Sequence, residues 1–504
     1  MTVSMEPPIS MEQMLQTIRT GLPKTFEPKN IIIVGAGISG LVAASLLKGA
    51  GHEVTILEGN DRIGGRIFTN RNFFAGQYME NGAMRIPSIH LLVLEYIKKF
   101  NLPLEEFINS TPNDIIFVNN VRTIQKLYEE NPDILNFPTS PSEKGKTAEY
   151  LAQYAMQPVT DFIKKNPKKN WEIVIKLLDR FSMEYYLKYN PYGRTLSVGA
   201  IDMIKVMLGM EGFPELSFTA LLREVMILFT PGLKFYEIKG GNDHLPYSFL
   251  PELKENIYYH QKMKKIEQHD SSVTIHTVDT QTSQAYSVTG DLAIITIPFS
   301  LLNFVEIIPR DLFTYNKYKA IRQLHYVPST KIGLQFKTRF WEKEGFIGGK
   351  MISDLPVRYS YFPSQSVGSD GPGVILASYT WEDNASIWDS LSEKEQIENA
   401  LEDLSKIYGK EIYNEFMTGN TFSWSENPFS GGAFAIFKPD QQTEIAPYIS
   451  TPEGLIHFAG DHTSTAPGWI QGAIESGIRV AYEVNDLPKS TATVNDVTND
   501  QMES

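Results

Sequence analysis

Asn30-Ile31-Ile32-Ile33-Val34-Gly35-Ala36-Gly37-Ile38-Ser39-Gly40 is a short apolar run that ends in a glycine-rich turn. Such a run suits a strand buried on both faces of a parallel sheet. The turn has G-x-G-x-x-G spacing, and each glycine has a physical reason. Gly35 permits the tight turn, Gly37 lets the backbone approach a pyrophosphate, and Gly40 lets the next helix pack closely on the strand. Ala36 and Ser39 complete the expected contact loop. Leu41 to Lys48 reads as the helix, whose N-terminus offers free N–H groups and partial positive charge to phosphates. Val54 to Glu58 reads as a second strand, closing on a carboxylate suited to ribose hydroxyls. The spacing predicts a βαβ unit that binds a dinucleotide. A glycine turn in an α/β domain without that ligand is the plainer alternative.

The pattern does not separate FAD from NAD. Downstream, Glu58-Gly59-Asn60-Asp61-Arg62-Ile63-Gly64-Gly65-Arg66 places two glycines beside a cation. Gly65 and Arg66 there suit a second contact to the pyrophosphate, with an exposed loop as the alternative.

Outward from this unit, Ser10 to Leu22 reads as a helix, with Ser10 and Gln13 at capping-box spacing. The chain from Glu129 to Lys239 reads as mostly helical, including Trp171 to Tyr186 and Val198 to Leu208. Ile257 to His260, Ser272 to Val278, Leu292 to Ile297, Thr330 to Phe336 and Gly373 to Tyr379 read as strands. Ser392 to Ile407 is a further capped helix, Leu455 to Ala459 a short strand before a glycine turn, and Ile470 to Asn485 the last long helix.

The 504 residues suggest about three domain-sized units. A net charge of −13 without a dense Lys/Arg block argues against nucleic acid and anionic membranes as partners. The absence of cysteine excludes disulfides, thiolate metal sites and a cysteine-linked flavin, and no metal site is expected. No apolar run reaches the ~20 residues needed to span a bilayer. Met1 to Ser10 lacks the form of a secretory signal. A soluble, cytoplasmic protein is the expectation.

Beyond these readings, the sequence resembles the amine oxidase superfamily of flavoproteins, and within it the L-amino acid oxidases of the snake-venom and bacterial type. The likeness runs from about Met11 to Asp486. It rests on Ile33 to Gly40, Glu58 to Arg66, Gly82-Ala83-Met84-Arg85-Ile86-Pro87, Thr330-Lys331-Ile332, Phe458-Ala459-Gly460-Asp461-His462-Thr463 and Gly468-Trp469-Ile470. It implies an α/β fold: a Rossmann-type FAD-binding domain, a mixed-sheet substrate-binding domain and a helical domain. The FAD-binding domain would take residues 28–72, 239–318 and 439–488. The substrate-binding domain would take 73–128 and 319–438, with the helix of 1–27 packed on it. Residues 129–238 would be the helical domain and 489–504 a disordered tail.

The resemblance also implies roles. Non-covalent FAD would be held by Gly35, Ala36, Gly37, Ser39, Gly40, Glu58, Gly65, Arg66, Gly82, Ala83, Met84, Arg85, Met263, Gly460, Asp461, Gly468, Trp469 and Ile470. Arg85 would pair with a substrate carboxylate, with Tyr379 donating to the same group. Trp469 would wall the substrate Cα and Gly468 would offer a carbonyl to its amine. Lys331 would hold a water near the flavin and aid reaction with O₂. Ala433 and Phe434 would line the side-chain pocket. Two positions depart from the venom pattern: Glu224 stands near the place of a histidine and Val327 in the place of an arginine. Both departures make the pocket less positive and favour long or basic side chains, such as those of L-lysine and L-arginine. Each role has a plainer alternative: a core methionine at 263, an edge-facing lysine at 331, a structural ion pair at 85, a solvated face at 224.

The implied reaction is oxidative deamination of an L-amino acid with O₂, in a homodimer or higher homo-oligomer. The competing expectations are a broad oxidase of apolar and aromatic L-amino acids, a monoamine or polyamine oxidase without carboxylate recognition, a non-catalytic FAD-binding scaffold, and a nicotinamide-dependent dehydrogenase.

Overall fold

The computed structural model of the chain describes residues 9–74 and 76–487. The tail of 489–504 and most of the N-terminal decapeptide lie outside the described residues. The dinucleotide unit forms as its sequence requires. Asn30–Val34 is the central strand of a five-stranded parallel sheet, between Glu53–Leu57 and Leu292–Ile295. Ile257–Tyr258 and Ile456–Phe458 form its edges. Ile31 to Val34 are all buried, as expected of a strand covered on both faces.

The helix after the turn runs Ile38–Ala50, starting three residues before the expected Leu41. Ser39 and Gly40 therefore sit in its first turn. Burial explains the early start: Ile38, Ser39, Gly40 and Leu41 are all inside, so packing overrides the low helix propensity of Gly40. A Cβ on Gly40 would strike the carbonyl oxygen of Gly35. The last helix, Ile470–Asn485, packs against this one. Ser39 Oγ meets Ser476 Oγ at 3.0 Å, and a Cβ on Gly477 would collide with the Ser39 carbonyl.

The substrate-side sheet has seven strands, drawn from Ile115–Val118, Val121–Ile124, Ser329–Phe336, Lys350–Ser353, Tyr359–Tyr361, Gly373–Trp381 and Phe416–Ser423. Only Lys350–Ser353 and Ile115–Val118 pair in parallel, so the sheet is mixed. Ser329–Phe336 lies between Gly373–Trp381 and Phe416–Ser423 and is buried throughout, which removes the edge-facing alternative for Lys331.

Two local expectations need correction. Trp171 to Tyr186 is two helices, Pro167–Leu178 and Met183–Tyr189. Between them the Asp179 carboxylate accepts the hydroxyl of Ser217 at 2.8 Å and the amide of Thr443 at 3.0 Å, and Ser182 caps the second helix. Gln261–Gln268, read from sequence as neither helix nor strand, is a strand. Its polar composition hid it, and a bulge between Met263 and Lys265 breaks the alternation that would have shown Met263 and Ile266 facing inward. The capping boxes at Ser10–Gln13 and Ser392–Glu395 form as the spacing predicts.

Gly40→Ala forces its new methyl into a backbone carbonyl that cannot move without opening the strand–helix packing. The expected cost is about 2–4 kcal/mol. Urea unfolding measures it, with a parallel loss of bound flavin. Wild-type stability in the variant would show that the glycine is not needed for close packing.

Candidate active site

One cavity of about 1080 Å³ runs from the C-terminal ends of the parallel strands across to the seven-stranded sheet. That volume holds a dinucleotide and leaves room for a small substrate. The end at the parallel strands follows the Rossmann rule that ligands sit beyond the carboxyl ends of the strands.

Gly35, Gly37, Ser39, Glu58, Gly65 and Arg66 line that end. A Cβ built on Gly37 meets nothing within 4 Å, so the glycine leaves an open cradle at the helix N-terminus. A pyrophosphate fits this cradle by charge and by shape. The Glu58 carboxylate accepts the amides of Ala36 at 2.7 Å and Asn60 at 2.8 Å. Burial pushes its pKa up, and these two donors offset part of the rise. Ala36 and Gly40 do not line the cavity, contrary to the cofactor-contact expectation. Ala36 instead aims Glu58, and Gly40 sets the helix distance. Met263 lines the cavity and also belongs to the core.

Arg66 is not the free cation its motif suggested. It forms a buried ion pair with Asp461, and its Nη1 donates to the Ala433 carbonyl at 3.1 Å. Asp461 also accepts the Gly468 amide at 3.0 Å. Burial alone would raise the Asp461 carboxyl, but the charges and hydrogen bonds of Arg66 and His462 together outweigh it and hold the group well below the usual carboxylate range. Gly460, Gly468, Trp469 and Ile470 line the cavity at the start of the last helix, whose positive end faces it.

Gly82, Ala83, Met84 and Arg85 cross the middle of the cavity wall. Arg85 Nη1 donates to Asn109 Oδ1 and, at 3.2 Å, to the Tyr361 hydroxyl. Its guanidinium lies 5.3 Å from the Phe235 ring centroid. Among the described residues no carboxylate comes within 4.0 Å of it, so the structural ion pair is ruled out. Asn109 and Tyr361 carried no recognisable signal in the sequence. One sits in a polar loop and the other in a three-residue strand, and only the fold brings them to Arg85.

Lys331 is 1% exposed. Its Nζ donates to the carbonyls of Glu80 at 3.0 Å and Gly82 at 2.7 Å and lies 4.4 Å from the Tyr379 ring centroid. Burial pushes its pKa down to about 7. The Tyr379 ring packs on Trp381, with centroids 4.4 Å apart, and lines the cavity. Trp469 Nε1 donates to Glu224 Oε2 at 2.8 Å, and its ring meets His90 edge-on at 4.9 Å.

Glu224 is therefore in the cavity and not on a solvated face, and burial pushes its carboxyl up to about 7. Ala433 and Phe434 line the same space. Val327 does not. It is wholly buried, and its backbone exchanges hydrogen bonds with Ala433 and Phe434 at 2.9 Å. Its placement as a pocket residue is corrected: it fixes the loop that carries Ala433 and Phe434.

Comparison with known proteins agrees with this geometry. The family model for flavin containing amine oxidoreductases matches residues 38–485. The chain is 53% identical over 478 residues to the Bacillus subtilis (strain 168) protein named "Putative L-amino-acid oxidase YobN", covering 95% of this chain and 99% of that one. It is 36% identical over 477 residues to the L-amino-acid oxidase of Vipera ammodytes ammodytes, covering 94% and 96%. Among solved structures, a putrescine oxidase bound to putrescine superposes with a TM-score of 0.72 and the cyclohexylamine oxidase of Brevibacterium oxydans IH-35A with 0.73. Each is 18% identical and covers 91% of this chain and 99% of its own. The cradle, the parallel sheet and the sequence match lead to one conclusion: the chain belongs to the flavin-containing amine oxidoreductase family.

Proposed function

We propose that the protein is an L-amino acid oxidase that holds FAD non-covalently and converts L-amino acids, water and O₂ to 2-oxo acids, ammonia and hydrogen peroxide. The observation that carries this reading is Arg85. Its guanidinium lines the cavity, is held by two neutral side chains, and has no protein carboxylate within 4.0 Å among the described residues. A cation in a partly dry cavity asks for an anionic ligand, and a guanidinium fork matches a carboxylate through two charge-assisted bonds. A simple amine would leave that fork unanswered.

FAD, held at the Gly37 cradle and the start of the last helix, would supply the acceptor for hydride from the substrate Cα. The chain supplies placement. Arg85 and Tyr379 fix the carboxylate, Trp469 walls the Cα, and the Gly468 carbonyl receives the amine. The imine formed is hydrolysed by water. Lys331, tied by two of its N–H groups to carbonyls, keeps a third to hold a water and offers positive charge where oxygen is reduced.

Side-chain preference rests on Glu224 alone, because Val327 lies outside the cavity. Trp469 occupies Oε2 and leaves Oε1 for a ligand. A carboxyl poised near pH 7 ionises readily against a cation, so the reading favours long basic side chains, L-lysine and L-arginine.

Arg85→Ala should lower kcat/KM for L-amino acids by about 2–5 kcal/mol. Arg85→Lys should also be poor, because the planar fork is lost. Peroxide release measures both, and near-normal kinetics in either would place the carboxylate elsewhere. Glu224→Gln should raise KM for L-lysine and leave that for L-leucine nearly unchanged. If the wild type oxidises L-leucine or L-phenylalanine far better than L-lysine, the pocket reads apolar side chains instead.

A further inference from the structure

Next to Lys331, and outside the cavity lining, lies a group of ionisable residues that substrate chemistry leaves unused. Glu80 and Glu237 are 8% and 6% exposed. The Glu80 carboxylate accepts the Thr69 hydroxyl at 3.0 Å and the Asn242 amide at 2.7 Å. Strand register sets Glu237 directly opposite Glu105, which is half-buried on the edge strand Leu104–Glu106. Tyr78 Oη and Glu237 Oε1 are buried without a hydrogen-bond partner among the described residues. Neither Glu80 nor Glu237 has a cation within 4.0 Å among those residues. The nearby Arg71 is paired with Asp243 at 2.7 Å. The remaining charges that reach the cluster are Lys331 and, beyond it, Arg85.

Carboxylates facing each other across a ladder repel, and a buried carboxyl without a counter-ion keeps its proton. Burial pushes Glu80 up to about 7 and Glu237 up to about 8, the latter helped by the charges of Glu105 and Glu80. Lys331, at about 7, has matching proton affinity and bonds to the carbonyl of Glu80 itself. Glu80, Glu237 and Lys331 therefore all change protonation near neutral pH.

On the oxidase reading above, oxygen reduction has an unfilled requirement. Reducing O₂ to H₂O₂ takes two electrons and two protons. Anionic two-electron-reduced flavin gives both electrons and the N5 proton, and one proton must come from elsewhere. We propose that Glu80, Glu237 and Glu105, with Tyr78, form a proton store entered from solvent at the Leu104–Glu106 edge, and that it reloads Lys331, which donates this second proton. The Lys331 ammonium loses a proton to the nascent peroxide, becomes an amine, and regains one from the store. Glu105, half-buried at the sheet edge, refills the store from water.

The test uses flavin-loaded wild type, Glu237→Gln, Glu80→Gln and the milder Tyr78→Phe, reduced with dithionite so that no amino acid is involved. The first readout needs no turnover. A carboxyl raised from 4.5 to about 8 stabilises the fold fully below the lower value, and that share is lost as pH rises toward the upper one. Urea midpoints of wild type should therefore fall between pH 5 and 8 relative to Glu237→Gln. Parallel curves would overturn the store. The second readout is stopped-flow reoxidation by O₂. Above pH 7 the Gln variants should be slower by roughly tenfold or more, with recovery on adding imidazole as a soluble proton carrier. Tyr78→Phe should show a smaller loss in the same direction. Reoxidation within about twofold of wild type at every pH, in variants whose stability curves do shift, would show a store that delivers nothing and overturn the proposal. A wild type that O₂ reoxidises slowly at every pH would instead refute the oxidase reading.

Discussion

The Arg66–Asp461 ion pair fixes where four separate stretches of chain meet. Arg66 ends the dinucleotide loop, Asp461 opens the second glycine turn, Ala433 carries the substrate-side pocket, and Gly468 starts the last helix. A single buried pair with its accessory bonds joins all of them. Removing Arg66 would strand the buried Asp461 carboxylate away from water, at a cost of about 3–5 kcal/mol. The pair therefore ties the glycine cradle to the loops that carry Ala433 and Gly468.

This arrangement also explains how one cavity serves two chemistries. At one end, glycines and helix termini present backbone dipoles suited to phosphates. At the other, Arg85 is held by the neutral side chains of Asn109 and Tyr361, with no carboxylate within 4.0 Å among the described residues. Between them sits Lys331, stripped of solvent and braced by two carbonyls, with its proton affinity brought close to neutral pH. The charges remain separate because the fold pairs Arg66 and leaves Arg85 unpaired.

Much of this was legible before the fold was known. The strand Asn30–Val34, the last helix and both capping boxes follow from local spacing, which local physics enforces. Arg85, Lys331 and Trp469 were legible through motif resemblance, and the structure brings all three to one cavity. What stayed hidden is non-local. Asn109 and Tyr361 reach Arg85 only through the fold, and Val327 is buried in the loop just before the strand Ser329–Phe336. Glu224 read equally well as a solvated helix residue until Trp469 was found bonded to it. Gln261–Gln268 was missed because a bulge erased its period.

Recognition of a substrate carboxylate by the chamber is tested by comparing L-phenylalanine with phenethylamine, and L-lysine with its decarboxylated diamine, under coupled peroxide detection. Each amino acid should be oxidised with a kcat/KM larger by orders of magnitude than that of its carboxylate-free counterpart. Comparable or faster oxidation of the amines would contradict it and place the protein with the oxidases of simple amines.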